Sequence, residues 1–142
     1  MTGLIITGGS IDCAFAGAFL KDKIFDMVIA VDGGLAAVKQ LDIRPDAIVG
    51  DFDTVKGELL EEYSQIEGIT FEQHQPEKDE TDTELALRTA METGVSDMVI
   101  LGATGGRLDH SIGNIHLLYA CLQKGVKASI VDEKNRLYIL DQ

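Results

Sequence analysis

Two aspartates two residues apart, Asp51 and Asp53, stand in the stretch Gly50-Asp51-Phe52-Asp53-Thr54. In an extended segment, side chains two apart point to the same side, so these carboxylates converge and repel. A hard cation such as Mg²⁺ relieves that repulsion through oxygen ligands and keeps further positions for water or substrate phosphates. A second acidic group, Lys78-Asp79-Glu80-Thr81-Asp82, stands before the best helical pattern in the chain. Asp79 and Asp82 there either complement a helix dipole or join the metal site. Lys78 and Arg107 are the candidate phosphate clamps, the lysine as a point charge and the arginine as a bidentate fork.

These residues share a setting. Short apolar runs at Leu4–Thr7, Met27–Val31, Ala47–Val49, Ile69–Gln73, Met98–Leu101, Ala128–Val131 and Leu137–Leu140 alternate with helical patterns at Asp12–Leu20, Leu35–Leu41, Lys56–Tyr63, Thr81–Thr93 and Ser111–Lys124. Continuous apolar runs are what strands buried on both faces look like. The alternation predicts an α/β domain with a doubly wound, mostly parallel sheet and helices on both faces, a Rossmann-like three-layer fold. Thr81 and Glu84 form a capping-box pattern and Gly94 supplies a stop.

In a parallel sheet every strand's carboxyl end lies at one edge, where open α/β sheets bind ligands. That edge receives Gly8-Gly9-Ser10, Asp32-Gly33-Gly34, Gly50-Asp51-Phe52-Asp53 and Gly102-Ala103-Thr104-Gly105-Gly106-Arg107. Glycines there let backbone amides approach a phosphate, and following helices present their N-termini to it. For any one pair, a simple chain turn is the better explanation. Four turns at one edge favour a magnesium-bound polyphosphate. Asp109 and His110 begin a helix as caps or ligands, and Asn114, four residues beyond His110, orients a ligand or a loop carbonyl. His74 and His116 read as surface or packing residues, and Arg44-Pro45-Asp46 as a turn.

Composition narrows the classes. At 142 residues and 45% hydrophobic, the chain closes one core. A formal net charge of -12 argues against nucleic acid or an anionic membrane surface as partner. Cys13 and Cys121 are far apart, without metal-site spacing, and read as buried thiols. The N-terminus lacks a basic leader pattern and no apolar stretch reaches the roughly 18 residues of a membrane span. A cytoplasmic location is expected.

The set Asp32-Gly33-Gly34, Gly50-Asp51-Phe52-Asp53-Thr54, Lys78-Asp79-Glu80-Thr81-Asp82 and Gly105-Gly106-Arg107-Leu108-Asp109-His110 with Asn114 resembles the thiamine pyrophosphokinase family, in order and spacing, over nearly the whole chain. The resemblance implies transfer of a pyrophosphoryl group from ATP to the hydroxyl of thiamine, giving thiamine diphosphate and AMP. It implies Mg²⁺ on Asp51, Asp53 and Asp82, with Asp32 on the same rim. Thr54 stands where the family often has Ser. Phosphate and nucleotide contacts fall on Gly8, Gly9, Ser10, Gly33, Gly34, Lys78, Gly105, Gly106, Arg107, Asp109, His110 and Asn114. Asp32 or Asp79 is the candidate acceptor of the hydroxyl proton; the sequence does not choose between them. The resemblance further implies a homodimer and a second, β-rich domain that shares in thiamine binding. Residues 1–132 would then be the catalytic domain, 133–142 a linking or first strand, and this length of chain would bind nucleotide but turn over thiamine poorly.

Two other classes fit parts of the pattern. Asp51-Phe52-Asp53-Thr54 also resembles the nucleophile loop of haloacid-dehalogenase-type phosphatases, although that loop follows a first strand and this one a third. A non-catalytic Mg-nucleotide-binding module has the right size, but receiver-like modules place an acidic pair after the first strand, where this chain has Thr7-Gly8-Gly9-Ser10.

Overall fold

A computed structural model of the chain describes residues 1–50, 57–73, 81–105 and 108–139, leaving aside the side chains of Gln73, Asp109 and His110. The strands are β1 (Thr2–Ile6), β2 (Met27–Val31), β3 (Ala47–Gly50), β4 (Thr70–Gln73), β5 (Asp97–Leu101), β6 (Lys127–Val131) and β7 (Arg136–Tyr138). The helices are α1 (Cys13–Leu20), α2 (Gly34–Gln40), α3 (Gly57–Ser64), α4 (Asp82–Thr93) and α5 (Leu108–Gln123). All seven strands join one sheet in the order β4-β3-β2-β1-β5-β6-β7. Every pairing is parallel except β6 with β7.

The central strands are apolar along most of their length because both of their faces are covered. Leu4 and Ile6 of β1 turn to one core with Ala16, Leu35, Val38 and Tyr63 of the first three helices. Ile5 turns to the other, with Ala86, Leu87 and Ala90 of α4 and Leu118 and Cys121 of α5. Burying a large aliphatic side chain contributes about 1.5–3 kcal/mol, so both layers hold the sheet. α1 to α3 carry the chain outward from β1 on one face. α4 then returns across the other face and delivers β5 to the free side of β1, so the winding reverses between β1 and β5.

Local signals explain the element ends. Asp12 caps α1 by accepting from the Phe15 amide at 3.0 Å. Thr81 caps α4, its hydroxyl accepting from the Glu84 amide at 3.1 Å, and Gly94 ends that helix in the left-handed region at φ 105°. At the opposite edge, Asp26 and Asp46 start their strands by accepting the Thr2 and Val28 amides, each at 2.8 Å. Arg44 donates to the Glu67 carbonyl at 2.6 Å, so Arg44-Pro45-Asp46 is a structural turn. Several element ends differ from expectation by one to three residues, and two of them are instructive. β1 begins at Thr2 because Thr2 pairs with Asp97, a polar extension that hydrophobicity does not reveal. α5 begins at Leu108, and Ser111 lies inside it rather than at its start.

Candidate active site

The carboxyl ends of β1, β2 and β5, the first turn of α4 and the middle of α5 enclose a cleft of about 770 Å³. It is lined by Gly8, Gly9, Asp32, Gly33, Asp82, Gly102, Gly105 and Asn114, among others. This is the reversal point between β1 and β5, where open α/β sheets hold ligands.

Asp32 follows β2 with φ 48°, a left-handed conformation that a non-glycine residue adopts only when its surroundings impose it. Its amide donates to the Val49 carbonyl at 2.8 Å and its carbonyl accepts from Leu35 at 3.1 Å. A strand bond and the first helical turn therefore set this backbone. Asp82 is the first residue of α4, where a carboxylate also meets the positive helix end. The Oδ1 atoms of both aspartates are shut off from solvent. Glu84 joins them, and the described lining includes three acidic residues and no basic one.

The glycine loops lock to each other. The Gly9 amide donates to the Gly102 carbonyl at 2.7 Å and the Ser10 amide to the Thr104 carbonyl at 3.1 Å. The Thr7 hydroxyl, buried at the end of β1, donates to the same Gly102 carbonyl at 2.6 Å. A methyl on Gly9 would stand 2.1 Å from that oxygen, so the contact requires glycine. The Gly9 and Ser10 amides, expected at a phosphate, are thus engaged within the protein. Gly34 is buried, and a methyl there would stand 2.1 Å from the Ile6 carbonyl oxygen, so glycine here lets α2 approach β1. Gly8, Gly33 and Gly105 line the cleft as expected, while Ser10 is exposed beside Gly105.

The Asn114 Nδ2 donates to the Ala103 carbonyl at 3.1 Å, a loop carbonyl as one of the two expectations had it, while the residue also lines the cleft. Asp109 and His110 lie within the first turn of α5, because that helix begins at Leu108. Asp51, Asp53, Lys78, Asp79, Gly106 and Arg107 lie outside the described residues. Among the described residues, no three His, Cys, Asp or Glu side chains are grouped to hold a metal ion.

One residue with a part here, Asp132, is not among those expected from the sequence. Asp132 follows β6 at this same edge, and its Oδ2 accepts from the Thr104 hydroxyl at 2.7 Å. Its Oδ1 accepts the amides of Lys134 at 2.8 Å and Asn135 at 2.7 Å. Burial pushes this carboxyl up, but the Thr104 hydroxyl and the two amides outweigh it and hold it below the ordinary 3.8. The rule that picks out the other loops, a polar residue just past a parallel strand, also picks out Asp132.

Together these features define an open α/β domain with an acid-rimmed, glycine-walled cleft at its reversal point. The family model described as thiamin pyrophosphokinase, catalytic domain, matches residues 22–130, and the chain belongs to that family. A thiamine pyrophosphokinase of Bacillus subtilis is 38% identical over 111 residues, covering 77% of this chain and 50% of that protein. Thiamine pyrophosphokinase 1 of Oryza sativa is 35% identical over 82 residues, covering 54% of this chain and 31% of that protein. The solved Bacillus subtilis thiamine pyrophosphokinase superposes with a TM-score of 0.78 at 30% identity, over 94% of this chain and 61% of that one. The chain thus spans about half the length of the Bacillus subtilis relative. Among the described residues no helix is long and apolar enough to cross a membrane.

Proposed function

We propose that the chain is the nucleotide-binding catalytic domain of an enzyme that moves a pyrophosphoryl group from ATP to the hydroxyl of thiamine, releasing AMP. The observation that supports it most is a coincidence of place. The family match spans residues 22–130, and within it Asp32, Asp82 and Asn114 all come to the cleft. The thiamine hydroxyl oxygen attacks the β-phosphorus, the bond from that phosphorus to the α-phosphate oxygen breaks, and the electron pair leaves with AMP. Such transfers rest on positioning and charge stabilisation. The walls of Gly8, Gly33 and Gly105 leave room for the phosphates, and Asp32 or Asp79 accepts the hydroxyl proton.

Three acidic lining residues would repel a triphosphate, so the donor set suits a hard cation. Asp82, with Asp51 and Asp53, would hold Mg²⁺, which when bound offsets phosphate charge. Lys78 and Arg107 clamp the phosphates in this reading, with Asp109 and His110 as further phosphate or nucleotide contacts. In this reading residues 1–132 form the domain and 133–142 a linking strand, whose β7 segment is paired with β6 at the edge of the same sheet. Assembly as a homodimer rests on the family resemblance alone, and a cytoplasmic location on the sequence pattern.

Titration calorimetry with Mg-ATP tests the assignment. Asp82→Asn should weaken Mg²⁺-dependent binding at least about tenfold, the scale of one charged contact, with an unchanged melting curve. Equal affinity in variant and parent would refute the metal role. Thiamine-dependent AMP release supports the transferase. Phosphate released from phosphomonoesters would point instead to the phosphatase, and binding without turnover in a chain extended past Gln142 to the module.

A further inference from the structure

The turn between β6 and β7 is closed by the Asp132 amide donating to the Asn135 carbonyl at 2.9 Å. The two returning amides, from Lys134 and Asn135, converge on Asp132 Oδ1 and fix the carboxylate's orientation. Its other oxygen is thereby aimed at Thr104. Thr104 in turn uses both of its polar ends. Its hydroxyl donates to Asp132 and its carbonyl accepts the Ser10 amide, so one residue joins the β6–β7 turn to the loop after β1. Gly102, Ala103 and Gly105 on either side of Thr104 line the cleft, whereas Thr104 and Asp132 are not among its lining residues.

We propose that Asp132 is a positioning residue for the cleft: through Thr104 it fixes the β5–α5 loop against the β1–α1 loop, so that the turn into β7 and the ligand wall move as one unit. A bond to a carboxylate is about twice as strong as a neutral one, and this is the described link from the turn to the loop. Movement of β7, or of anything attached to it, is then felt at the wall. Without the link the loop keeps its ties through Gly102 and Asn114, so the domain folds but its wall loosens.

The experiment pairs amide hydrogen exchange with Mg-ATP affinity in Asp132→Asn, Thr104→Val, Thr104→Ser and the double variant Thr104→Val/Asp132→Asn. Thr104→Val keeps the shape and loses only the donor, and so carries the test even where Asp132→Asn fails to fold. Exchange at Ser10 should quicken about tenfold, the factor for about 1.4 kcal/mol. The Asp32 amide, bonded to Val49, should keep its rate as a control. The dissociation constant should rise by a similar factor, Thr104→Ser should restore both readouts, and the double variant should be no worse than the worse single one. Unchanged Ser10 exchange in Thr104→Val, equal acceleration at Asp32, or faster exchange with unchanged affinity would each overturn the proposal. The affinity arm rests on the nucleotide reading above. A parent chain that binds no Mg-ATP would defeat that reading, while the exchange arm would still decide the coupling.

Discussion

Gly9→Ala is the sharpest test of how the cleft is built. The added methyl would lie 2.1 Å from the Gly102 carbonyl oxygen and 2.9 Å from that of Thr104, both backbone atoms with no rotamer to escape through. Carbon and carbonyl oxygen rest about 3.3 Å apart even in close contacts, so the loops must part by about 1.2 Å. A retreat of that size takes the 2.7 Å bond from the Gly9 amide to Gly102 out of hydrogen-bond range and weakens the 3.1 Å bond from Ser10 to Thr104. Each such bond contributes about 0.5–1.5 kcal/mol net, and the Thr7 hydroxyl bond to Gly102 is disturbed with them. The expected loss is roughly 2–4 kcal/mol, or about 5–12 °C in melting temperature for a domain of this size. Urea unfolding followed by far-ultraviolet circular dichroism measures it. Gly17→Ala is the opposing control. Its methyl would meet only the Leu41 side chain at 3.8 Å, within α1, so replacing a helical glycine should stabilise by about 0.5–1 kcal/mol. If Gly9→Ala stays within about 0.5 kcal/mol of the parent chain, the loops are not locked in the way described.

Asn114→Ala should cost about 1–2 kcal/mol in the same urea assay, since it strips the donor from the buried Ala103 carbonyl, and Asn114→Asp should cost more by setting acceptor against acceptor. Asp26 is held below the ordinary 3.8 chiefly by the Thr2 amide, and Asp132 is held below it too. Both contribute stability that is present above the unfolded value of 3.8 and lost as pH falls through the lower folded values. Asp26→Asn and Asp132→Asn should therefore each flatten the acid limb of a stability-versus-pH curve below that value. An unchanged slope would show that these bonds are not kept in solution.

The strands were legible because burial on both faces leaves a run such as Leu4-Ile5-Ile6 no polar position to lose. The fourth helix was legible because its cap and stop are local chemistry, readable at Thr81, Glu84 and Gly94. Asp32 and Asp82 could be placed at one edge because parallel strands share their carboxyl ends. What the sequence did not disclose depends on strand order. The amides of Gly9 and Ser10 meet Gly102 and Thr104 only because β5 lies beside β1, and Asp132 reaches Thr104 only because β6 lies beside β5. The buried place of Gly34 is similar, set by how closely α2 crosses β1.

The placing of β1 at the centre of the sheet also bears on the making of the protein. A ribosome delivers residues in order, and strands two to four can pair beside the first as they emerge, covered on one side by three helices. The other apolar face and the free side of β1 must wait, because the helix that covers the one and the strand that fills the other come later in the chain. Thr7 meets Gly102 across 95 positions, so the cleft is among the last features to close. Until then the growing chain exposes an unpaired strand edge and half a core, the surfaces on which chaperones act and aggregation begins. A ribosome stalled before the fifth strand would hold a half-sheet with no ligand site.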